Sequence, residues 1–92
     1  LYHTGDTWLF GDMALIQERH RPSIILLGTG GGPYTQGPSD AAMAVRKYFR
    51  PTTIVPMHFG TFPALADEAR VRALGPGDQR LRVLRPGESA RF

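Results

Sequence analysis

The sequence predicts an α/β layer, on three observations. Short uncharged runs of aliphatic and β-branched residues, Ile24 to Leu27 and Thr52 to Met57, alternate with segments whose apolar residues recur every three or four positions. Gly and Pro, 11 and 8 of 92 residues, fall at the junctions between these segments. No apolar run approaches the roughly 20 residues that span a bilayer. Alternation of this kind lays helices on a sheet, with right-handed crossovers wherever neighbouring strands are parallel.

In order along the chain, Leu1 to Thr4 read as the end of a strand that turns at Gly5. Asp12 is an N-cap candidate for a two-turn helix over Met13 to His20, with Met13, Leu15 and Ile16 inward. Arg21-Pro22 stops it, because a residue before proline is pushed out of the helical region. The imidazole of His20 suits the helix C-terminus. Ser23 to Leu27 form a buried strand, and Gly28 to Pro38 a long glycine loop. Pro38 or Ser39 opens a helix carrying Ala41, Ala42, Val45, Tyr48 and Phe49, with Ser39 and Asp40 as cap candidates, and Arg50-Pro51 closes it. Thr52 to Met57 make the next strand. Asp67 caps a helix running to about Leu74, closed by Gly75-Pro76-Gly77. Leu81 to Leu84 read as a last strand.

A chain of 92 residues and 10.2 kDa is one small domain, or a piece of a larger one. The absence of cysteine removes disulfides, thiolate zinc sites, iron–sulfur clusters and cysteine nucleophiles. Net charge is +3, and the excess is local: six Arg lie between Arg70 and Phe92 against Asp78 and Glu88. These Arg alternate with apolar residues in Leu81-Arg82-Val83-Leu84-Arg85, the pattern of a strand with one wet face. No aromatics interleave for base stacking, so nucleic acid is not the expected partner.

The chemistry-bearing residues cluster after strands. In open α/β sheets ligands collect outside the carboxyl ends of strands, and this brings Asp6 and His58 together although they are 52 positions apart. Asp6 reads either as a turn-forming residue or as a carboxylate ligand or base; His58 reads either as structural or as a ligand. His3 and Asp6, three apart, face opposite sides of a continuing strand unless the turn at Gly5 re-aims one of them. Gly28-Thr29-Gly30 follows a strand, but Pro33 stands where a dinucleotide fingerprint needs its third glycine, and no phosphate-loop lysine follows. The loop therefore reads as an active-site rim, with Gly30, Gly31 and Tyr34 as cleft candidates. Spacing alone declares no complete metal site.

Tyr2 to Met13, containing Gly5-Asp6-Thr7, and Val55 to Pro63, containing Met57-His58-Phe59, resemble the C-terminal half of metal-dependent hydrolases of the metallo-β-lactamase superfamily. Tyr34 to Val45 resemble the connecting loop and helix, and the branch they most resemble is akin to the ascorbate-6-phosphate lactonases. The resemblance implies that residues 1–92 form half of an αββα sandwich. It implies two divalent metal ions, zinc by expectation, with Asp6 bridging both and serving catalysis, and His58 ligating one. It implies metal-bound hydroxide attacking an ester, lactone or phosphodiester bond of a small-molecule substrate. The family's His-x-His-x-Asp-His cluster does not occur in these residues. The expectation is therefore a fragment that pairs with an N-terminal half and has no hydrolase activity and at most weak metal binding alone. The expected setting is cytoplasmic, without a membrane partner, and self-association stays open. The alternative is a non-catalytic α/β interaction module that mates with a partner half.

Overall fold

The computed structural model describes residues 1–73 and 79–92. Its elements are β1 (Tyr2–His3), α1 (Met13–His20), β2 (Ile24–Gly28), α2 (Pro38–Lys47), β3 (Thr53–Met57) and α3 (Glu68–Arg72). The expected close of α3 at Leu74 to Gly77 lies outside the described residues. The three strands form one parallel sheet in the order β1-β2-β3, with Tyr2 opposite Ile25 and Ile25 opposite Ile54. This is the alternating α/β layer that the sequence predicts.

Side chains alternate across the sheet. Ile25, Leu27 and Ile54 share one face and pack with Met13 of α1, Ala41, Ala44 and Val45 of α2, and Phe49 into the core. The opposite face carries Ile24 and Leu26, which are only half-buried. The small residues of α2 let that helix lie close to the sheet, and the ring of Phe49 fills the space beyond them, 5.6 Å from the ring of Tyr2. Burial of the Phe49, Ile25 and Leu27 side chains stabilises the fold by about 1.5–3 kcal/mol each.

Several local expectations change. Asp12 stands at the start of α1, but its backbone is already helical (φ −71°, ψ −4°) and its side chain makes no capping bond. The first N–H groups donate instead to the carbonyls of Phe10 and Gly11, each at 3.2 Å. Leu15 is 58% exposed, because only Met13 and Ile16 face the sheet. α1 ends at Arg21 through a left-handed residue (φ 42°) that donates to Gln17, rather than by an extended residue before proline. Gly37, not Ser39 or Asp40, holds the N-cap position of α2, with Pro38 in the first turn. Asp67 caps α3 as expected, its carboxylate accepting the Arg70 N–H at 2.8 Å.

The last expected strand, Leu81 to Leu84, is reduced to one bridge between Ile54 and Leu81. Ile54 directs its N–H to Arg80 and its carbonyl to Arg82, away from β2. The next outward-facing residue on β3 is Pro56, which has no N–H to donate, so the ladder stops. Among the described residues no helix is long and apolar enough to cross a membrane.

Candidate metal centre

β1 and β3 flank β2, so their carboxyl ends lie about 10 Å apart. Asp6 and His58 reach across the end of β2 and meet: His58 Nδ1 lies 2.8 Å from Asp6 Oδ1, with side chains 42% and 63% exposed. Both sit at the rim of the sheet, open to solvent.

The meeting depends on how β2 ends. Thr4 accepts the Gly28 N–H on its hydroxyl at 2.9 Å and donates its own N–H to Leu26, which locks the end of β1 onto β2. Gly5 then turns with φ +65°. On the other side, buried Thr29 donates both its N–H and its hydroxyl to the carbonyl of Met57, the residue before His58. Gly30 lies so close that an added Cβ would stand 1.7 Å from the His58 carbonyl oxygen. His58 itself adopts φ +58°, a left-handed conformation that a side chain bearing a Cβ rarely takes.

The glycine loop closes on itself beside this pair. Gln36 donates its N–H to Thr7, just past Asp6, and its side-chain amide to Gly28, while Gly31 donates to the Gln36 carbonyl. Gln36 is fully buried, and its Oε1 is without a hydrogen-bond partner. Nothing in the local spacing marked Gln36 or Thr29 as the residues that hold the loop.

Tyr34 shares with Asp6 and His58 a cleft of about 260 Å³, walled also by Thr35, Phe62 and Leu65. Gly30 and Gly31 line a neighbouring cavity of about 320 Å³ with Trp8 and Arg70. His3 is re-aimed by the turn: its Nδ1 accepts the Gly5 N–H at 3.1 Å, and its ring centre lies 6.5 Å from that of His58.

The donor chemistry fits a divalent cation in part. The 2.8 Å approach sets an imidazole nitrogen and a carboxylate oxygen side by side, somewhat closer than the roughly 3.3 Å between two ligands of one tetrahedral zinc. Either imidazole nitrogen can ligate a metal, and Asp6 offers a second oxygen. Zinc takes three or four protein ligands, and among the described residues no group of three His, Cys, Asp or Glu converges. Asp6 and His58 are thus a partial donor set.

No protein-family profile matches the chain. It is similar to curated relatives named UPF0173 metal-dependent hydrolase. One from a Polaromonas species is 44% identical over 94 residues, covering all of this chain and 34% of the relative. Another from Anaeromyxobacter sp. strain K is 48% identical over 93 residues, again covering all of this chain and 34% of the relative. A third, from Methylobacterium nodulans, is 49% identical over 69 residues, covering 75% of this chain and 29% of the relative. The chain spans about a third of the length of these relatives. Among solved structures it is similar to Igni18, a metallo hydrolase from the hyperthermophilic archaeon Ignicoccus hospitalis. The TM-score is 0.73 at 37% identity, covering 91% of this chain and 36% of that one.

Proposed function

Since this chain is, along its whole length, a homologue of about one third of a UPF0173 metal-dependent hydrolase, we propose that it contributes part of the metal centre of such an enzyme. The observation that carries the proposal is the 2.8 Å approach of Asp6 and His58 at the carboxyl edge of a parallel sheet. Asp6 would offer its carboxylate to two divalent ions, zinc among the candidates, and His58 a ring nitrogen to one of them. When bound, such ions supply an activated water and polarise the bond under attack. The residues of this chain place that chemistry. Thr29 holds the carbonyl before His58 by two hydrogen bonds, Gly30 lets the chain pass close to the His58 carbonyl, and Thr4 and Gly5 set the direction of Asp6. The remaining ligands would come from an N-terminal half of the same fold, and the substrate would be a small ester, lactone or phosphodiester.

Zinc titrated into the 92-residue chain, followed through the imidazole and carboxylate NMR signals, tests the assignment. Weak saturable shifts at Asp6 and His58 are expected, abolished in Asp6→Ala and in His58→Ala. In the longer enzyme both substitutions should lower bound metal and turnover together. Unchanged metal content in both variants would refute the assignment.

A further inference from the structure

We propose that the cleft beside Asp6 and His58 selects its substrate by an apolar group, an alkyl chain or ring on an ester or lactone, gripped between Tyr34, Phe62 and Leu65. The inference rests on the hydrolase reading and narrows it. Two large aromatic side chains, Tyr34 at 63% and Phe62 at 64% exposure, stand in water on the same small cleft as the candidate ligands. Covering them would remove apolar surface from water. Leu65 floors the space between them, held by its N–H bond to the Phe62 carbonyl at 3.0 Å. A space of about 260 Å³ holds a ring or a short alkyl chain.

The charge lining the cleft argues in the same direction. Among the described residues its walls hold the Asp6 carboxylate and no Lys or Arg, so a phosphate or sulfate carried on the substrate would find no cationic side chain of theirs there. The guanidinium of Arg70 borders the two adjoining cavities instead. Whatever bond reacts at the Asp6–His58 end, the walls decide what is attached to it, and these walls suit carbon.

The test uses γ-butyrolactone, γ-hexalactone and γ-octalactone as probes, titrated into the 92-residue chain and read from the aromatic NMR signals of Tyr34 and Phe62. Glucose 6-phosphate is the anionic comparison. Affinity is expected to rise about fourfold for each added methylene until the cleft is filled, with the sugar phosphate the weakest. Phe62→Ala and Tyr34→Ala should each flatten that gain, and Tyr34→Phe, which keeps the ring, should restore it. Equal affinities across the lactones, or tighter binding of the sugar phosphate, would overturn the inference. So would broadening of the same signals on raising protein concentration alone, which would assign the cleft to a second copy of the chain. The two readings fail separately. A chain-length gain without zinc-induced shifts at Asp6 and His58 removes the metal assignment. Zinc-induced shifts without a chain-length gain remove the apolar selection.

Discussion

Replacing Gly30 by Ala should dislodge His58 more effectively than any change at His58's exposed neighbours. The added Cβ would lie 1.7 Å from the His58 carbonyl oxygen and 2.8 Å from its carbon. It is thus about 1.3 Å short of the 3.0 Å below which real contacts essentially never fall. Both opposing atoms are backbone, so no rotamer change relieves the clash, and either the Met57–His58 segment or the glycine loop must move. Overpacking in well-packed sites costs about 1–3 kcal/mol, and a backbone opponent puts this case at the upper end. A chain of this size has roughly 5–14 kcal/mol of stability in total. With a urea m-value of about 1 kcal/mol/M, the unfolding midpoint should fall by about 2–3 M. Gly11→Ala is the control: an added Cβ there meets nothing within 4 Å, and removing a glycine should stabilise by about 0.4–1 kcal/mol. Urea unfolding of both variants, with the Asp6 and His58 NMR signals read in parallel, makes the comparison. A Gly30→Ala midpoint within about 0.5 M of wild type, with the His58 signal unmoved, would refute the claim that close backbone approach positions the histidine.

Other substitutions separate stability from the site. Phe49→Ala empties the centre of the core and should cost about 3–5 kcal/mol by denaturant unfolding. Asp67→Ala removes the cap on α3 and should cost about 1 kcal/mol while leaving zinc-induced shifts at His58 intact. Glu68 is held below the ordinary glutamate pKa by the hydrogen bond from Arg72 and then by Arg85. Its contribution is therefore present above the unfolded-state pKa of about 4.3 and is lost as pH falls through the lower folded-state value. Glu68→Gln should flatten the acid limb of the stability–pH curve, as read from thermal unfolding between about pH 5 and 3. His58→Gly should relieve the left-handed backbone and stabilise by about 1 kcal/mol while abolishing the zinc response.

What the sequence made legible was what burial and strand topology alone determine. Ser23 to Leu27 and Thr52 to Met57 read as strands, being uncharged, largely aliphatic or β-branched and bounded by turn residues. Parallel pairing then put the residues after them at one edge, which is why Asp6 and His58 could be placed together from spacing. What depends on individual backbone geometry was not legible. Asp12 is as good a cap by type as Asp67, yet only Asp67 caps, because the chain before α3 is extended (ψ 172°) and the chain before α1 is already turning. Leu81 to Leu84 alternate like a strand, but pairing needs a donor opposite, and Pro56 withholds it. The nearness of His3 to His58 goes with a hydrogen bond from the Gly5 N–H that holds the His3 ring, a contact that residue type permits but does not dictate. Phe62 and Leu65 sit in a loop with no period, so nothing in their spacing joined them to the cleft.

The way this edge is built argues that its intended partner is something other than the chain itself. The core of the fold removes apolar surface from water, with Phe49, Ile25 and Leu27 fully buried. At the carboxyl edge strain and open apolar surface come together. His58 holds a left-handed backbone that costs roughly 1–2 kcal/mol, and its exposed contact with Asp6 returns at most about 1 kcal/mol. Gly30 gives up a side chain so that two backbone segments can touch, and two aromatic rings remain in water beside them. Strain without local compensation persists where a bound group supplies the missing energy. A carboxylate and an imidazole are the donors that a divalent ion would reward, and the uncovered rings are the surface that an apolar substrate would reward. The same accounting explains why His58→Gly should yield a more stable chain that has lost its response to zinc.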